Sequence, residues 1–120
     1  MIEQAANHVE PPLEGDIDVT SDTAGQASAA ITIAASGVRR YYQIIVDDGA
    51  GAALACYMTV ARNAAPTDPA PTNTSTGAQT HFYLAGQIPP MVFVAGDQFK
   101  VYPVGSGTCY IRVTPASPPG

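Results

Sequence analysis

The sequence predicts an all-β domain: an antiparallel β-sandwich, of jelly-roll or immunoglobulin-like type, with seven to eight short strands and an extended N-terminal arm. Three observations predict it. Apolar and polar residues alternate in segment after segment, the period of a half-buried strand. Turn formers, 11 Gly and 11 Pro, punctuate those segments at short intervals. No stretch carries the 3.6-residue apolar period over the ten or so residues that a core helix needs.

At 120 residues the chain is one domain by length, able to bury roughly two-thirds of the surface its unfolded form exposes. It therefore needs neither a metal nor a disulfide to fold. The 46% hydrophobic fraction argues against disorder.

Residues 1–15 hold Pro11, Pro12 and Gly15 without a sustained period and read as an extended arm. The sandwich spans residues 16–114. Asp16–Thr20 is a short, weak strand. Ser28–Ala35 puts Ile31 and Ile33 on one face and Thr32 on the other. Arg40–Asp47 alternates Tyr42, Ile44 and Val46 with Tyr41, Gln43 and Ile45. Asp48-Gly49 supplies the positive φ of a tight turn. Ala53–Ala61 follows, with Leu54, Cys56, Met58 and Val60 facing one way, so these two strands are expected to form a β-hairpin. Asn63–Ala78, rich in Pro and Thr, has no core-forming pattern and reads as an exposed, mobile loop. Gln79–Leu84, Met91–Ala95, Gln98–Val104 and Thr108–Thr114 are the remaining strands. Phe99, Val101, Cys109, Ile111 and Val113 face inward; Lys100, Tyr102, Tyr110 and Arg112 face outward. Residues 115–120 form an extended tail.

Charge is unevenly placed. Residues 1–38 carry six acids (Glu3, Glu10, Glu14, Asp16, Asp18, Asp22) and no base, while residues 39–120 carry five bases against four acids. The acidic third reads either as an arm that lies on a basic neighbour or as a segment that acids keep solvated. A net charge of −5 without a basic stripe opposes nucleic acid as a partner. No run approaches the ~20 apolar residues of a membrane span, and Met1–Val9 lacks the features of a secretory signal. Synthesis in the cytoplasm and no membrane partner are expected.

No catalytic, cofactor or metal constellation emerges. Cys56 and Cys109, both inward, are either a disulfide between sheets or a pair of buried free thiols; the lack of a secretory signal favours thiols. His8 and His81 each stand alone. Asp16-Ile17-Asp18 and Asp47-Asp48-Gly49 offer carboxylates for calcium but lack the spacing of an EF-hand loop. Gly105-Ser106-Gly107 is a turn and not a nucleophile motif. Asn73-Thr74-Ser75 matches a glycosylation acceptor, which has no meaning for an unsecreted chain. No enzyme is expected.

Tyrosine is the suggestive excess. Tyr41, Tyr57, Tyr102 and Tyr110 all fall on outward positions, where exposed aromatic rings mark a protein interface or a sugar-stacking platform.

From Arg40 onward the run YYQIIV, DDGAGAALACYMTVA, a variable loop, FYLAGQIPPMVFV, GDQFKVYP and GSGTCYIRVT resembles small β-sandwich virion proteins of tailed bacteriophages, of the capsid decoration or cement type. The likeness covers about residues 40–114. It implies a non-enzymatic protein on the capsid exterior, a homotrimer bound to the major capsid protein without a cofactor. Glu10 and Glu14 of the arm would then contact the shell or a neighbouring protomer, and the four tyrosines would line interfaces. A receptor- or carbohydrate-binding module of a phage fibre or spike is the alternative.

Overall fold

The structure, a computed structural model, describes residues 18–33, 40–71 and 80–116. The arm 1–15, with His8, Glu10 and Glu14, lies outside the described residues. Eight strands follow in chain order: β1 (Asp18–Thr23), β2 (Ile31–Thr32), β3 (Arg40–Asp47), β4 (Cys56–Ala61), β5 (His81–Tyr83), β6 (Met91–Phe93), β7 (Gln98–Pro103) and β8 (Thr108–Ala116). Among the described residues there is no helix.

The strands form two four-stranded sheets, β1-β8-β3-β6 (sheet I) and β2-β7-β4-β5 (sheet II), and every pairing is antiparallel. The first strand pairs with the last, the second with the seventh, the third with the sixth and the fourth with the fifth. This is the order of a jelly roll: one long hairpin, its tip between β4 and β5, wrapped so that β3–β8 and β4–β7 close the two sheets. The immunoglobulin-like order is thereby excluded.

Alternation decides what each sheet buries. Tyr42, Ile44 and Val46 of β3 and Cys109, Ile111 and Val113 of β8 point in from sheet I. Cys56 and Met58 of β4 and Phe99 and Val101 of β7 meet them from sheet II. Phe93 bridges the layers, its ring centroid 6.0 Å from Tyr42 and 6.2 Å from Phe99. Ile88, on the β5–β6 connection, plugs the same core. Gln43 Nε2 ties that connection down by donating to the Ile88 carbonyl at 2.7 Å.

The expected β3–β4 hairpin does not form. Its turn does: the Asp47 and Asp48 carboxylates accept the amides of Gly49 and Ala50, and Leu54 N–H reaches the Val46 carbonyl at 2.8 Å. Pairing stops at the single Asp47–Ala53 bridge; β8 holds one side of β3 over Tyr41–Asp47, and on the other side it is β6, at Arg40–Tyr42, that takes the place further along the strand. The chain crosses to the other sheet instead. Two alternating segments that bury one face satisfy a hairpin and a face-to-face sandwich equally well, and only pairing elsewhere separates the two.

Further expectations change. In the strand expected at Ser28–Ala35, of which residues 28–33 are described, ladder pairing begins only at Ile31, because at Ser28 the hydroxyl takes the place of a ladder carbonyl: Val101 N–H donates to Ser28 Oγ at 3.1 Å. Val60 keeps the side of Met58, opposite Phe99, but it is 40% exposed because it lines an open cleft at the end of β4. The first half of the Asn63–Ala78 loop is packed and not a mobile excursion. Pro66 and Pro69 are buried, and Thr59 Oγ1 donates to the Thr67 carbonyl at 2.5 Å. Residues 72–79 lie outside the described residues. At the other end, β8 runs two residues past Thr114, with Pro115 opposite Tyr42 and Ala116 opposite Tyr41.

Candidate contact surface

The four outward tyrosines are all half-buried, but they do not share a surface. Tyr41 and Tyr110 lie on the outer face of sheet I at opposite ends of β3, opposite Ala116 and Asp47 respectively. Tyr57 and Tyr102 lie on the outer face of sheet II, directly across from each other on β4 and β7. The tyrosine pattern thus marks two faces, and only one pair of rings touches.

On sheet II the pairing register builds a row. Tyr57 sits between Phe82 of β5 and Tyr102 of β7, with ring centroids 4.8 Å and 6.2 Å away. One step on, Leu84 and Val104 continue past the ends of β5 and β7, with Ala55 on the β4 side; Val104 N–H donates to the Ala55 carbonyl at 2.8 Å. Phe82 is 49% exposed, Leu84 62% and Val104 44%. None of these six residues carries a charge. The opposite margin is the Lys100–Asp68 ion pair, 2.6 Å long, beside the packed 64–71 segment. Leu84 and Val104 follow the last residues of β5 and β7, and it is the register that brings them and Phe82 beside Tyr57 and Tyr102. Their side follows only from register.

Sheet I faces solvent with different chemistry. Arg112 donates from Nε and Nη2 to the two Asp47 oxygens, at 2.6 Å and 3.2 Å, and its guanidinium lies 5.6 Å from the centre of the Tyr110 ring. The Arg112 hydrogen bond holds the Asp47 carboxyl below its ordinary value despite partial burial. Exposed Val19 and Ile45 flank Arg112 on β1 and β3. Gly49, at φ +80°, lets the turn pass under the Tyr110 ring; a Cβ there would run into it.

At the end of the sandwich where β4 and β6 diverge, Val60, Val92 and Phe93 line a shallow cleft of about 300 Å³. Asp97, whose side chain is 3% exposed, stands at its side and accepts from Arg62 Nε at 3.0 Å, Arg62 Nη2 at 3.3 Å and Val94 N–H at 3.0 Å. Burial pushes this carboxyl up, but the Arg62 and Val94 hydrogen bonds outweigh it and leave it below its ordinary value. A carboxylate so occupied clamps the β6–β7 turn to β4, and none of its oxygens is poised for acid–base work.

The cysteines are free, buried and on different sheets. Burial raises the Cys56 thiol to about 11 and raises that of Cys109 as well, so neither is a ready nucleophile. His81 is exposed on β5 with its ring 6.5 Å from Tyr83. Asp48 spends its Oδ1 on the amides of Ala50 and Ala52. Among the described residues no three His, Cys, Asp or Glu side chains converge as metal ligands. No protein family, no curated protein and no solved structure matches the chain.

What the fold and the described surface define is therefore a class: a small jelly roll with an uncharged, partly exposed aromatic and aliphatic row on the outside of sheet II.

Proposed function

We propose that this chain is a non-enzymatic structural protein of a tailed-phage virion, a decoration or cement protein that sits on the outside of the capsid. In this reading it binds the major capsid protein as a trimer and stabilises the shell by bridging its subunits. The observation that carries the reading is the uncharged patch around Phe82, Tyr57 and Tyr102 on the outer face of sheet II. A soluble domain exposes a continuous apolar face chiefly where another molecule covers it, and jelly rolls are common building parts of viral shells. That second support is analogy of fold, not of site. The likeness of residues 40–114 to decoration proteins points the same way. The acidic arm, with Glu10 and Glu14, supplies a segment for contact with a basic patch on the shell.

The test is addition of the purified chain to undecorated phage shells. Co-sedimentation at a fixed stoichiometry, with a raised temperature of shell disruption, is expected. Binding no stronger than that of an unrelated acidic protein of similar size would sink the reading. The rival, a receptor- or carbohydrate-binding module, draws on the same aromatic row. Its rings cross at 45° and 80° and so offer no flat platform for a sugar. A glycan array with clear hits would promote that rival over the shell reading.

A further inference from the structure

We infer that the outer face of sheet II is the surface through which copies of this chain meet one another, with Phe82 at its centre. The inference assigns a surface to the assembly proposed above and leaves the shell contact to the rest of the molecule.

Electrostatics argues for a second copy. The chain carries −5, so two copies repel wherever their charged surfaces face. Near a symmetry axis the constraint is sharper, because each residue there meets its own equivalent and any charge meets the same charge. Sheet I fails this condition: Asp47 and Arg112 occupy the middle strands of its outer face, and Asp22 and Asp48 lie at the same end of the molecule. The sheet II face meets it. Phe82, Tyr57, Tyr102, Leu84, Ala55 and Val104 are uncharged, and the charges at the margin of the row among the described residues, Lys100 and Asp68, pair with each other.

Position argues the same way. β5 is an edge strand of sheet II, so Phe82 and Leu84 carry the patch to the rim of the domain, where nothing on the described part of this protomer blocks an approach. An aromatic centre with aliphatic neighbours is also the composition of an interface core.

Area sets the strength. Half of a Phe side chain presents about 100 Å², and a patch of this kind falls short of the ~800 Å² that each partner gives to a standard interface. The association is therefore concentration-dependent, completed by residues around the patch, and sensitive to loss of its centre.

Light scattering on the full chain tests this across about a hundredfold range of concentration, wide enough to bracket two decades of affinity. The expected mass rises from 12.4 kDa to two or three times that value. Salt should maintain or strengthen the association, whereas a contact built on ion pairs would weaken. Phe82→Ser with Leu84→Ser should raise the dissociation constant about thirtyfold or more. Leu84→Lys, at a residue past the end of its strand, serves as a second variant that leaves the fold intact. The control, Val19→Ser with Ile45→Ser on sheet I, should keep the wild-type mass. A wild-type chain that stays at 12.4 kDa overturns the inference, as does an oligomer that survives both sheet II variants or dissociates equally in the control. Failure here with shell binding intact would discard only this assignment; self-association without shell binding would discard the shell reading and keep it.

Discussion

The two outer faces of this jelly roll begin from the same ingredients and end as different surfaces. Each presents two outward tyrosines on neighbouring strands, and each has exposed aliphatic residues: Val19 and Ile45 on sheet I, Leu84 and Val104 on sheet II. On sheet I the register places Arg112 between those aliphatics, pairs it with Asp47 and stacks it near Tyr110. Polar groups find partners there and the face is finished. On sheet II the register places Phe82, Tyr57 and Tyr102 side by side, so apolar area accumulates with nothing among the described residues to cover it. Alternation along one strand decides which residues point out. Pairing between strands decides whether they complete a surface or leave it open.

The largest expected effect lies in the layer that both faces share. Phe99 is fully buried, stacks on Phe93 and joins the sheets. Phe99→Ala should cost about 3–5 kcal/mol, the usual toll for emptying an aromatic site in a packed core. Chemical denaturation would measure it. Loss of one sheet's structure ahead of the other would break the comparison at its root, since it would mean two separately stable faces.

Next in size are the two Asp–Arg pairs, one at each end of the sandwich. Asp97 and Asp47 both titrate below their ordinary range when folded. A depressed carboxylate adds stability above its unfolded pKa, and that stability is lost as pH falls through the folded value. The protein should hold its stability near neutrality and lose it in acid below about pH 4. Asp97→Asn should cost about 1–2 kcal/mol at pH 7, because the buried acceptor of Val94 N–H loses its charge while exposed Arg62 stays hydrated. The same variant should show a shallower acid loss than the wild type in melts across pH. An unchanged acid profile would mean that the Arg62–Asp97 clamp adds nothing to stability.

Much of this fold is legible in the sequence, because a period of two survives any topology. The inward sets Tyr42-Ile44-Val46, Phe99-Val101 and Cys109-Ile111-Val113 follow directly from alternation. The Asp48-Gly49 turn is equally plain, yet it misleads about the strand that comes after it. Nothing local in Ala53–Ala61 tells whether Cys56 and Met58 lie beside Val46 or across the core from it. That depends on β6 and β8 claiming β3, and those strands lie about fifty residues or more further along the chain. The apolar row on sheet II is hidden for the same reason: Tyr57 and Tyr102 are readable as outward, but their union with Phe82, Leu84 and Val104 exists only once β5, β4 and β7 are in register.

The smallest effect on stability should come from the residues with the largest effect on assembly. Phe82→Ser and Ile45→Ser each remove an exposed apolar side chain from an outer face, one from each sheet. Neither opens a cavity, so each should change the stability of the lone protomer by no more than about 0.5 kcal/mol, as surface substitutions do. Measured at high dilution, the two melting curves should nearly coincide with that of the wild type. Raising the concentration should then separate them. If sheet II is the covered face, the wild type and Ile45→Ser gain stability by mass action as copies bind, while Phe82→Ser does not. Parallel gains in all three proteins would show that the faces differ in composition but not in use. A gain confined to Phe82→Ser's parent and to Ile45→Ser would tie the difference in register to a difference in function.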